Sequence, residues 1–165
     1  MTLRRSARCS LLRTSRVDDL TERPRVVQET NGAILPCAMG NVEIVRAFLD
    51  RYNRGDLAQA FELFHPDIVS GGYEGGERKG RQAAEEAFLG WREDWEWFRS
   101  YLEEFIDAGD DRAVVICRNI GKGRRSGVEI EMIAGEVWGF RDGKIASLFV
   151  YRDRDEALEA AGLSA

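Results

Sequence analysis

One histidine serves the whole 165-residue chain, and its three cysteines (Cys9, Cys37 and Cys117) show no metal-ligand spacing. A zinc site draws on clustered Cys, His and carboxylate ligands, so a resident metal is not expected. An odd set of unspaced thiols reads as reduced, which places the chain in the cytoplasm. Apolar runs are short as well. None approaches the ~20 residues that cross a bilayer, so no membrane partner is expected. Positive charge is scarce where it would matter. The formal net charge is −5, and residues 1–38 hold seven Arg against four acids, so the remainder carries −8. Such a body repels phosphate backbones, and no nucleic-acid partner is expected. The glycines at 71, 72, 75, 76 and 80 lack both the Walker spacing and its Lys-Ser/Thr ending, which argues against a phosphate-binding loop.

What is present suffices for one domain with a real core, at 44% hydrophobic and 32% charged residues. Residues 1–38 stand apart, with no sustained period and an excess of Arg, Ser and Thr. Leu11-Leu12 is too short for the apolar region of a secretory signal. The segment reads either as a disordered basic tail or as sequence ahead of a natural start at Met39, leaving 39–165 as the domain.

Asn41 reads as a helix N-cap, followed by Val45, Phe48, Leu49 and Tyr52 at helical spacing. Gly55 ends that helix and Asp56 caps a second, which His65-Pro66-Asp67 stops. The sequence then predicts a short strand at 68–70, a glycine-rich loop, and a third helix over 81–98 with Ala84, Phe88, Trp91, Trp95 and Phe98 inward. Four strands follow, at 102–108, 112–120, 127–140 and 145–151, joined by hairpin turns such as Asp142-Gly143. A last helix occupies 153–161. Helices before a run of hairpins give an α+β domain in which a curved, antiparallel-rich sheet wraps its helices.

The strand at 127–140 carries one charge out of place. Val128, Ile130, Met132, Ala134, Glu136, Trp138 and Phe140 share a face, and six of the seven are apolar. If that face is the core, desolvation raises the pKa of Glu136 towards neutrality, as a general acid or base requires. A bulge that slips the register would instead turn Glu136 to solvent. Arg118 is likewise the one charge among Val114, Ile116 and Ile120. It either pairs with Glu136 or polarises a ligand carbonyl, or else its long stem carries it to water. Cys117, on the opposite face, reads as inert packing, and His65 as part of a structural turn. Phe48, Tyr52, Phe64, Trp91, Trp95, Trp138 and Tyr151 are an aromatic set for the core, from which a cavity for a flat apolar ligand could be lined.

The segments NVEIVRAFLDRYNRGDL, LFHPDI, GRQAAEEAFLGW and VWGFRDGKIASLFVYRDRDEALEAAGL, spread over 41–163, resemble the nuclear transport factor 2-like superfamily and its SnoaL-like group. The resemblance implies a conical α+β barrel, an apolar pocket between sheet and helices, and a homodimer. Its members include ketosteroid isomerases and polyketide cyclases, which act without a cofactor. Glu136 falls where those relatives keep an acid. Their tyrosine donor falls on Phe48, which has no hydroxyl, and their carboxylate base near Gly71 or Gly72, with Glu74 the nearest acid. The 145–151 strand has no acid, which disfavours epoxide hydrolysis. The function expected is therefore a small-molecule binder, either a cofactor-independent isomerase, cyclase or dehydratase with Glu136 as acid/base, or a non-catalytic binding or dimerisation module. An open cavity of ~300 Å3 or more beside Glu136 favours the first, and a cone plugged by Trp91 and Trp95 the second.

Overall fold

The computed structural model describes residues 39–72 and 75–163. The basic segment 1–38, read as a tail or as sequence ahead of a start at Met39, and the acid Glu74 lie outside the described residues.

Helix α1 (Asn41–Arg54) buries Ile44, Val45, Phe48, Leu49 and Tyr52 along one stripe. Gly40, not Asn41, holds the N-cap position. Gly55 closes the helix at φ 84°, a left-handed conformation that glycine adopts without a Cβ penalty. Helix α2 (Leu57–Phe61) follows Asp56 at its N-cap. Strand β1 (Phe64–Gly72) starts earlier than expected, and Pro66 falls where its pairing is irregular, between Phe64 and Val69. The glycine-rich segment is not a plain loop. Its second part forms strand β2 (Gly75–Lys79), antiparallel to β1.

Helix α3 (Arg81–Glu93) is shorter than the 81–98 expected, and Trp95 opens strand β3 (Trp95–Gly109). The aromatic spacing at 91, 95 and 98 suits a helix, but cross-strand packing decides the outcome. Trp95 and Phe98 lie over Gly121, where a Cβ would come within 2.8 Å of the Phe98 ring and 3.0 Å of Trp95. A side chain at 121 would therefore close the space those rings occupy. Strands β4 (Arg112–Gly123), β5 (Glu129–Arg141) and β6 (Lys144–Tyr151) continue as antiparallel hairpins. The last of these turns through Asp142 and Gly143, at φ 55° and 70°. Helix α4 (Arg154–Ala160) begins where the Asp153 carboxylate accepts from the Glu156 amide at 2.9 Å.

The sheet runs β2-β1-β6-β5-β4-β3, with β1 parallel to β6 and every other pair antiparallel. It is curved and does not close, so the barrel implied by the resemblance has open edges at β2 and β3. One face packs α1, α2 and Ala84 of α3 against Ala113, Val115, Cys117, Trp138 and Leu148. The other is drier than its sequence suggests. Val114, Ile116 and Val137 are covered there by Ala157 and Leu158 of α4 and by its C-cap Ala161. Gly135 permits that approach, since a Cβ on it would meet the Asp153 carbonyl oxygen and lie 2.6 Å from the Ala157 methyl. Among the described residues no helix is long and apolar enough to cross a membrane.

Candidate functional site

Register fixes what surrounds Glu136. On β5 it pairs with Val115 of β4 and Val150 of β6, so its side chain shares the helix-covered face with Val115, Cys117, Trp138 and Leu148. Two residues on, Trp138 is fully buried and donates its indole N–H to Glu136 Oε2 at 2.7 Å. Burial pushes the Glu136 carboxyl up to about 7, and the Trp138 bond opposes that rise by favouring the charged form. Because Trp138 can only donate, Oε2 stays an acceptor. The proton of the neutral acid then belongs on Oε1, which has no bond to another described residue.

Glu136 lies on the wall of a cavity of about 340 Å3 between the sheet and the helices. Phe48, Tyr52, Phe88, Trp91, Trp138 and Val150 supply much of the apolar lining, and Ser70, Ser100 and Asn119 add polar groups. The aromatic side chains pack among themselves and leave this volume open. Phe48 sits at the centre of that packing, with ring centroids 5.4 Å from Phe64 and 5.5 Å from Trp138. Burial raises the Tyr52 phenol above its ordinary pKa against the pull of the Arg92 guanidinium beside it, and the Glu136 charge adds to the rise. Burial, and after it the charge of Glu136, also holds the Cys117 thiol far above the normal range. That thiol is inert packing in the core beside the cavity.

The residues singled out in sequence divide three ways. Glu136, Phe48, Tyr52, Trp91 and Trp138 meet at the cavity. Phe64 is wholly buried behind Phe48, Trp95 packs its ring at a tilt against both Trp91 and Phe98, and Tyr151 packs on the α4 side of the sheet. None of these three lines it. Arg118 is on the far face altogether. It pairs with Glu103 at 2.9 Å and Glu131 at 3.5 Å, and its guanidinium lies 5.3 Å from the Tyr101 ring centroid. Of the alternatives open to Arg118, the structure shows the one in which its stem carries it to water, and neither a pairing with Glu136 nor a place in the cavity is formed. Both faces of β4 are apolar, and the cavity lies on the side of Ala113, Val115 and Cys117. His65 is held near Arg141, Asp67 and Asp142, away from the cavity.

Asn119 and Ser100 were not recognised from sequence. The alternation that sets Ala113, Val115 and Cys117 inward continues to Asn119 and was available to find it. Gly71 and Gly72, where the resemblance noted in the sequence would put a base, line the cavity and bring no acid. Among the described residues no group of three or more His, Cys, Asp or Glu is placed to hold a metal.

Solved structures share this architecture. TerC, co-crystallised with polyporic acid, aligns with a TM-score of 0.62 at 22% identity, over 74% of this chain and 98% of its own. An NTF2-like protein of unknown function from Burkholderia pseudomallei aligns at 0.61 and 22%, over 72% and 95%. A protein of ketosteroid isomerase-like fold from Catenulispora acidiphila, in complex with trimethylamine, gives 0.61 and 18%, over 73% and 93%. At such identities the likeness is one of fold. No curated protein sequence matches the chain. The model of the SnoaL-like domain matches residues 45–148, the span from α1 to β6 that builds the cavity, and the chain belongs to that family.

Proposed function

We propose that the protein binds a flat, largely apolar carbonyl compound and that Glu136 moves a proton beside that carbonyl, in an isomerisation, cyclisation or dehydration that needs no cofactor. The observation that carries this reading is a carboxyl on the wall of an apolar cavity, held by one indole N–H, whose burial pushes its pKa up to about 7. Near neutrality both of its forms are populated. The carboxylate can take a proton from the carbon next to the carbonyl, and the resulting acid can return it elsewhere on the same ligand. One residue then serves as base and acid in turn, which suits a cavity with no carboxylate at Gly71 or Gly72. The homodimer implied by family resemblance belongs to this reading, and sedimentation equilibrium checks it.

A second reading, ligand binding without turnover, is favoured by Phe48 and by the position of Arg118. Neither can stabilise a developing oxyanion, one for want of a hydroxyl and the other because it is on the wrong face. One experiment separates the two. Flat ketones that stabilise the protein thermally are incubated with it in deuterated water, and deuterium uptake next to the carbonyl is followed by NMR. Catalysis requires uptake that wild type accelerates and Glu136→Gln does not. Stabilisation by ketones with equal uptake in both proteins leaves the binding module.

A further inference from the structure

We infer that the natural ligand carries a second polar group, a hydroxyl or amide distant from its carbonyl, that is read by Asn119. This inference rests on the reading above, in which the carbonyl faces Glu136. Asn119 is only 7% exposed and lines the cavity. Its side-chain amide has no hydrogen-bond partner among the described residues, nor is it among the polar atoms that the protein seals off entirely. An amide that is neither paired nor sealed is open to the cavity it lines. Buried polar groups are nearly always satisfied, and a primary amide offers two donors and an acceptor to whatever fills the space.

The sheet register sets the distance. Asn119 of β4 pairs with Met132 of β5, on the same face as Glu136 and four residues from it. That is ~13 Å along the strand and one strand aside, before either side chain reaches inward. Between them the wall is Ala134, small and without a polar partner to offer a ligand. A molecule touching both ends therefore has an apolar, elongated middle. Ser100, also buried, pairs with Asn119 across β3 and β4. Asn53 holds the Ser100 backbone from both sides, accepting from its N–H at 2.9 Å and donating to its carbonyl at 2.8 Å, so this end of the cavity is fixed from α1. Ligands that end in a bare hydrocarbon leave the Asn119 amide unpaired and are discriminated against.

The test compares 2-acetonaphthone with 6-hydroxy-2-acetonaphthone by calorimetry on the wild type, Asn119→Leu and Asn119→Ala. The hydroxyl should tighten binding to the wild type about three- to tenfold. In either variant that increment should vanish, while the unsubstituted ketone binds at least as well as before. Two variants are used so that a folding defect in one does not remove the test. An increment that survives both substitutions, or its absence in the wild type while the plain ketone binds, overturns the role of Asn119 and leaves the ketone site standing. Binding of neither ketone overturns both.

Discussion

Glu136 and Trp138 stand two residues apart on one strand, and the indole N–H of the second donates to Oε2 of the first at 2.7 Å. Because strand side chains alternate, the i, i+2 spacing puts both on the cavity face with no help from another element. The pair makes a carboxyl that is desolvated, oriented and held close to its titration point.

Stability should fall as pH rises across that titration. The folded-state pKa of about 7 lies above the ordinary glutamate value, so between the two the native state binds more protons than the unfolded one. The protein is therefore most favoured, as far as this group is concerned, below about pH 4.5, and the loss is complete above about pH 7. It should amount to roughly 3–4 kcal/mol. Urea denaturation of the wild type and Glu136→Gln across pH 5–8 measures it. The substitution should flatten this part of the profile and raise stability at pH 8.

Trp138→Phe removes the donor and keeps a ring in the core. The Glu136 pKa should then rise further, because the bond that favours the carboxylate is gone. The variant should also lose about 1–3 kcal/mol through the smaller ring and the unpaired acid. A fall in stability with an unchanged pKa would reduce Trp138 to packing.

Arg118→Met should leave ketone binding unchanged and alter stability by less than about 1 kcal/mol, since its ion pairs with Glu103 and Glu131 are solvent-exposed. Weakened ligand binding in this variant would mean that the far face of the sheet is coupled to the cavity.

Gly135→Ala should cost about 1–3 kcal/mol, because the new methyl enters the space of the Asp153 carbonyl and Ala157. Faster amide exchange confined to α4, seen by hydrogen exchange, would locate the damage at the helix contact.

These cases show what the sequence made legible. The face of Glu136 followed from alternation because β5 keeps its register with β4 without a bulge. The face of Arg118 did not follow. Val114 and Ile116 are as apolar as Val115 and Cys117, and only the docking of α4 distinguishes the two sides. The end of α3 was misplaced for a related reason. Trp91, Trp95 and Phe98 fit a helical stripe, while the pairing of β3 with β4, a contact distant in sequence, draws Trp95 into the sheet. The parallel pairing of β1 with β6 joins segments some seventy residues apart, beyond the reach of any local pattern. Asn119 was legible by the alternation that sets Val115 and Cys117 inward, but an uncharged amide stands out less on a strand than the charge of Arg118 beside it.

Everything proposed for the cavity depends on Glu136 titrating near neutrality inside it. Selective 13C labelling of glutamate side chains, with Glu136→Gln to assign the resonance, follows its carboxyl directly through a pH titration by NMR. The midpoint should lie near 7 and move upward when a flat ketone displaces water from the cavity. A midpoint near the ordinary value of about 4.3, unmoved by ligand, would contradict the proposal.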